Sequence, residues 1–283
     1  MIEGVMLLWF VLTGLSVVFV VIDIPKTPES VVIKWAFVIL TVFTGPLGAF
    51  FYVLGCREPL KGQHEQYVSA TWRQVLGSTM HCAAGDGLGI IAGAAIGAQL
   101  HLSPAADLAL EYALGFGFGW AYFQAFAMRD MAGGSYIRSL KMTFLPEFLS
   151  MNLLMAGMVV TMRLLMPRIE GAGDPFGAGF WFVMSMALIV GFALAYPINW
   201  WLVVRGLKHG MLTTVDADGG ADHAGHGEAP AAEAHGGHGA GSEAPAEESH
   251  DEGGVTMAAK AGMTIFSILF YAAGIWLFFA IGG

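Results

Sequence analysis

Seven long apolar runs, at roughly 5–22, 31–55, 75–100, 108–128, 144–166, 178–204 and 258–281, constrain this chain more than any other feature. Windows of about 19 apolar residues suffice to cross the roughly 30 Å hydrocarbon core of a bilayer. In lipid the backbone must satisfy its own hydrogen bonds, which makes each run a helix. The expected fold class is therefore an all-α membrane protein with about seven transmembrane helices. A chain with 56% hydrophobic and 12% charged residues is no ordinary soluble domain. The first run lacks a basic flank, carries Glu3 and shows no small-residue cleavage site before Asp23, so it reads as a retained anchor.

The formal charge of −9 does not describe the membrane body. Ten of the 22 acidic residues lie within 209–257, where there is no Lys or Arg; the rest of the chain carries twelve acids against thirteen bases. From about 216 to 254 the composition is Gly, Ala, Glu, Asp, Pro and His, which buries too little apolar surface to offset chain ordering. A disordered loop is expected there, between the sixth and seventh helices. In it His223 and His226, then His235 and His238, repeat an HxxH spacing, and His250 follows. Imidazoles among carboxylates suit Zn, Ni, Co or Cu(II), although the same composition also makes a plain solvating linker. The two cysteines, Cys56 and Cys82, build no disulfide framework and are expected as reduced thiols.

Basic residues orient the chain. With seven spans, the even-numbered loops hold Arg57, Lys61, Arg73, Arg129, Arg138, Lys141, Arg205, Lys208 and Lys260, and the odd-numbered loops hold Lys26, Lys34 and Arg168. Nine against three puts the N-terminus and the His-rich loop in the cytoplasm of a bacterial inner (cytoplasmic) membrane.

The third run contains Met80-His81-Cys82-Ala83-Ala84-Gly85-Asp86-Gly87. A histidine, a thiol and a carboxylate at membrane depth are costly, tend to face a bundle interior and mark functional paths. Cys82 and Asp86 share a helix face, while His81 lies about 100° around, so a second helix must close any site. Gly85, Gly89, Gly93 and Gly97, with Gly115 and Gly119 on the next run, form small-xxx-small faces for close helix packing or for a partner.

Glu147 is the best candidate from a second helix, although Pro146-Glu147 also reads as the first turn of one. Met151, Met155, Met158, Met162 and Met166 form one stripe above it; thioethers are soft ligands for Cu(I), and Met is equally an adaptable packing residue. Asn199 reads as satisfying backbone groups freed by Pro197, and His209 as an interfacial residue or a further ligand. Glu111 and His101 sit where an outer mouth would lie. Phosphate loops, Ser-His-Asp arrangements, HExxH motifs and basic nucleic-acid patches are all missing.

Three stretches carry a resemblance: Met80-His81-Cys82-x-x-Gly85-x-x-x-Gly89, a polar residue opening the helix after Lys141, and Tyr196-Pro197-Ile198-Asn199-Trp200-Trp201 continuing to Arg205-Gly206-Leu207-Lys208-His209. Over about 74–211 the chain resembles uncharacterised bacterial membrane proteins grouped as domain of unknown function 4396. That family's pattern reads His-Cys-x-x-Gly-Cys-x-x-Gly-Glu, where this chain has Asp86 for the second Cys and Ile90 for the acid. One thiol with one carboxylate forms no internal disulfide, which turns the reading from thiol redox toward metal coordination.

The chain thus divides into two N-terminal helices with their loop over 1–73, a family-like four-helix domain over 74–211, the acidic His-rich loop over 212–256 and a last helix over 257–283. The expected function is transport or handling of a transition-metal ion, Cu or Zn before Ni or Co. His81, Cys82 and Asp86 form the intramembrane site, Glu147 assists with Met151, Met155 and His209 as further ligands, the His-rich loop concentrates or senses the ion, and no organic cofactor is expected. The expected partners are the lipid bilayer, the metal cation and a second copy or membrane partner on the Gly faces, with no nucleic acid. The alternative is a non-transporting subunit or assembly factor of a larger membrane complex.

Overall fold

A computed structural model describes residues 2–60, 62–129, 132–210, 212 and 255–282, and they are helical with no strand. The His-rich tract at 213–254 lies outside the described residues, and with it His223, His226, His235, His238 and His250. In chain order the helices are α1 (Ile2–Asp23), α2 (Val31–Thr44), α3 (Pro46–Gly55), α4 (His64–Val68), α5 (Thr71–Leu100) and α6 (Pro104–Phe116). A π-helical stretch, Gly117–Gln124, then leads into α7 (Ala125–Ala127), followed by α8 (Tyr136–Leu165), α9 (Ala178–Val204) and α10 (Met257–Gly282). Five of these segments, built on α1, α5, α8, α9 and α10, are long and apolar enough to cross a membrane, as in a multi-pass membrane protein.

The second apolar run departs from expectation: it folds back on itself. Gly45 takes φ 56° and ψ −128°, a conformation that only glycine enters cheaply, and Pro46 opens α3 at a position that needs no N–H. Thr41 and Thr44 close the end of α2 by donating to the Phe37 and Leu40 carbonyls, both at 2.7 Å. The two arms are antiparallel, with the Tyr52 ring 5.7 Å from Phe37. Both feet of this hairpin stand at one end of α1: Tyr52 Oη bonds Thr27 Oγ1 at 2.8 Å, Arg57 Nε donates to Asp23 Oδ2 at 2.5 Å, and His64 Nε2 lies 2.9 Å from Glu29 Oε1. Its tip abuts Thr13 and Trp9 of α1. From Asp23 to Thr13 is about 15 Å of helix at 1.5 Å per residue, so the hairpin enters the apolar layer and returns.

Near those feet α5 begins, and Tyr196 of α9 donates to the Trp72 carbonyl at 3.2 Å there. The Gln74 amide donates to the carbonyls of Val68 and Leu212. Ile2 is at the opposite end, since Trp9 meets Phe182 near the start of α9 at 6.4 Å. The N-terminus and residue 212 therefore occupy opposite ends of the bundle, whereas seven simple spans would place them together.

Helix α5 is the buried axis. Its glycines allow α6 and the π stretch to approach: a Cβ on Gly89 would meet the Leu114 carbonyl and stand 2.7 Å from Gly115 Cα, and one on Gly85 would stand 3.0 Å from Gly119 Cα. These small-residue faces are thus used within the chain. Helix α8 packs on α9 where Gly157 meets Gly191, and α10 lies along α8 where Gly274 meets Ala156. Pro146 falls inside α8 and not at its start, because Ser135 caps the helix eleven residues earlier by accepting from Arg138 N at 3.4 Å.

Candidate functional site

Every side chain of the central cluster is buried inside the bundle. Cys82 and Asp86 sit one turn apart on α5, and Glu147 reaches them from α8. The Cys82 thiol donates to Glu147 Oε2 at 3.0 Å, and its Sγ is 3.8 Å from Gln124 Oε1, the last residue of the π stretch. Lys208 enters from the loop after α9, with its side chain 1% exposed. Its Nζ donates to Asn199 Oδ1 at 2.7 Å and to Cys82 Sγ at 2.8 Å, and lies 3.6 Å from Glu147 Oε2. Asn199 in turn donates to Ser150 Oγ at 2.9 Å and to the Ala195 carbonyl at 3.0 Å.

Local backbone irregularities assemble this polar layer. The wide turn of the π stretch places Gly119 directly beneath Asp86. A Cβ at 119 would overlap Asp86 Oδ1 and stand 2.9 Å from Glu147 Oε1, so both carboxyl groups border the same point. Pro146 and Pro197 each remove a helical hydrogen bond one or two residues before Glu147 and Asn199. Both oxygens of Asp86 and Oε1 of Glu147 are buried with no hydrogen bond of ordinary geometry.

The charges do not balance. Two carboxyl groups face one ammonium, and an uncompensated buried carboxylate costs several kcal/mol. One more positive charge, a proton or a cation, has to share the Asp86–Glu147 pair. Among the described residues no group of three or more His, Cys, Asp or Glu side chains is set to hold a metal ion as it stands. The Lys208 ammonium stands where thiol and carboxylate converge.

Of the expected ligands, the structure brings together Cys82, Asp86 and Glu147. The first-turn reading of Glu147 is overturned, since it lies in the fourth turn of α8. His81 is buried beside the cluster, but its ring tilts against Phe123 with centroids 5.6 Å apart and neither nitrogen makes an ordinary hydrogen bond. Met151 and Met155 are fully buried in the apolar core with Met158 and Met162, as packing residues are. His209 follows Lys208 and is exposed.

Sequence reasoning missed Lys208, Asn199 as a direct partner, Ser150 and Gln124. Lys208 was visible as the one lysine of the Gly206-Leu207-Lys208-His209 stretch, but charges just beyond a span ordinarily report orientation. Asn199 does bond a backbone carbonyl, as expected, and its other end takes the lysine.

Residues 71–208 match the model of a family described as Domain of unknown function (DUF4396). Cys82, Asp86, Gln124, Glu147, Ser150 and Asn199 lie within that match, and Lys208 is its last residue. No curated protein and no solved structure matches the chain.

Proposed function

We propose that this chain, which belongs to the DUF4396 family through residues 71–208, transports or handles a transition-metal cation that replaces the Lys208 ammonium among Cys82, Asp86 and Glu147. The observation that supports this is the buried donor set itself: a thiol and two carboxyl groups converge on one tethered ammonium, and three of the four carboxyl oxygens have no ordinary hydrogen bond. Thiolate with carboxylates suits Zn(II), and Cu, Ni and Co compete for the same donors. Metal binding there requires a deprotonated thiol, so each ion that binds releases protons. The exposed apolar surfaces of α1 and α10 suit a bilayer. The alternative role as a docking subunit loses its expected surface, because the Gly faces pack inside the chain.

Metal content of cells expressing wild type, Cys82→Ser, Asp86→Asn or Glu147→Gln, measured for Cu, Zn, Ni and Co, tests the reading. Wild type should shift at least one metal relative to empty vector, and the variants should not. If wild type matches empty vector for all four metals, transport is refuted.

The membrane arrangement we propose is six crossings plus the α2–α3 hairpin. Ten described basic residues (Lys26, Lys34, Arg57, Arg73, Arg129, Arg138, Lys141, Arg205, Lys208 and Lys260) then lie at the Thr71 end, against Arg163 and Arg168 at the other. That bias puts residue 212 and the following His-rich tract in the cytoplasm and both termini outside. Impermeant labelling of single cysteines introduced at residues 4 and 175 checks this: both should react from outside in intact cells.

A further inference from the structure

At the end of the bundle remote from Lys208, α6, α8 and α10 line a half-open cavity of about 180 Å³ whose walls include Asp107, Glu111, Arg163 and Phe278. Liquid water occupies about 30 Å³ per molecule, so the space admits an ion with part of its hydration shell. Glu111 is 4% exposed, and its Oε2 is buried with no hydrogen-bond partner; Asp107 Oδ1 is likewise buried and unpartnered. Both residues pack tightly on α5: a Cβ on Gly93 would stand 2.7 Å from Glu111 Cα, and one on Gly97 would overlap Asp107 Oδ1. Arg163 does not neutralise them: its guanidinium lies over the Phe278 ring at 5.3 Å, and it forms no ion pair among the described residues.

The next residue on α6 leads inward. Tyr112 Oη donates to Asn152 Oδ1 at 2.8 Å, and the Asn152 amide donates to Ser267 Oγ at 3.2 Å. Ser267 belongs to α10, outside the family match, and the Tyr271 ring of the same helix tilts against Tyr112 with centroids 5.1 Å apart. A buried polar chain thus joins α6, α8 and α10 next to Glu111, and its last member stands on a helix outside the family match.

We infer that Asp107 and Glu111 form a second cation site, made of oxygen ligands, at the mouth of the bundle opposite Lys208. Its role as an entry or exit site rests on the cation reading of the central cluster; its capacity to bind an ion does not. Carboxylate donors without sulfur or imidazole take hard divalent ions, so Mn(II) reports this site in preference to the thiol and histidines elsewhere.

The test is an electron paramagnetic resonance titration of the full chain in lipid nanodiscs with Mn(II) alone. Glu111→Gln and Asp107→Asn should each weaken one bound Mn(II) by roughly tenfold or more, and Glu147→Gln should leave it unchanged. The acidic tract is common to all variants and cancels in the comparison. A hydrophobic carbodiimide supplies a measurement that needs no substitution: Mn(II) should protect Glu111 of the wild type from modification, read by peptide mass spectrometry. Wild-type Mn(II) affinity in Glu111→Gln, or no protection of Glu111, overturns the inference. In cells, Glu111→Gln should raise the half-saturating metal concentration without lowering maximal accumulation. If the wild type accumulates no metal at all, the transport reading fails while the Mn(II) result stands by itself.

Discussion

Replacing Lys208 with Met removes the only ammonium of the central cluster and keeps most of its length. The side chains it contacts are 0–1% exposed, so water cannot take over its role without opening the bundle. Breaking a buried pair by deleting one partner costs about 3–5 kcal/mol, because the remaining charge is left uncompensated. At about 2–4 °C per kcal/mol for a chain of this size, Lys208→Met should lower Tm by roughly 10 °C. Neutralising the partner should restore much of that loss: Lys208→Met with Glu147→Gln should lie well above the sum of the single effects, with a coupling of about 2 kcal/mol or more. Thermal unfolding in nanodiscs with a chelator present, followed by tryptophan fluorescence, reads all four corners of the cycle. Zn(II) added afterwards should stabilise Lys208→Met by about 2.7 kcal/mol at a hundredfold excess over its Kd, and wild type by less, because in the variant no tethered cation competes for the donors. A Lys208→Met protein within about 0.5 kcal/mol of wild type, or one that Glu147→Gln fails to rescue, would refute the argument that the cluster is held by this charge.

Gly119→Ala puts a methyl group where Asp86 Oδ1 and Glu147 Oε1 meet; it should abolish metal-dependent stabilisation and cost about 1–3 kcal/mol in the same unfolding assay. At the base of the hairpin, burial raises the Glu29 carboxyl above its ordinary value of 4.5, even though His64 beside it acts the other way. A raised carboxyl contributes stability that is complete at acid pH and is lost as pH climbs through its folded value. Modification of buried Cys56 by maleimide, mapped by mass spectrometry, should therefore accelerate with rising pH above about 4.5 beyond the intrinsic thiol dependence, and Glu29→Gln should flatten that excess.

How much was legible follows from the range of each signal. Hydropathy is a local average, so the long helices and the glycine stripe of α5 were readable residue by residue. The hairpin was not, because 31–55 is apolar throughout and only Gly45-Pro46 marks the reversal; hydropathy does not distinguish a helix that crosses from two that turn back. That one run decides whether the N-terminus and residue 212 stand at the same end of the bundle or, as the contacts place them, at opposite ends. In the site, Cys82 and Asp86 announce themselves by spacing, and Glu147 by its depth. Lys208 does not, because its meaning depends on a loop returning into the bundle, and such a contact has no periodicity.

The division between what is fixed and what is tethered bears most directly on mechanism. Cys82, Asp86, Glu147 and Asn199 are held on helices whose neighbours pack against them on every side. Lys208 instead follows the turn at Gly206, where φ is 67°, and its backbone is tied back to α9 by Leu207 and Lys208 donating to the Leu202 carbonyl at 2.9 and 3.2 Å. Withdrawing the ammonium thus requires rearranging a short loop and not unwinding a helix. Leu212, four residues on, is buried against Gly77 and held by Gln74, so the same loop is anchored at both ends of the excursion. Under the proposed metal reading, a loop-borne lysine facing helix-borne donors is the arrangement an exchange site needs: the donors stay preorganised whichever cation is present. If the lysine were only a structural counter-ion, Gln74→Ala would shift stability alone. If the loop carries the exchange, loosening that clasp should also lower the metal concentration needed for half-maximal stabilisation.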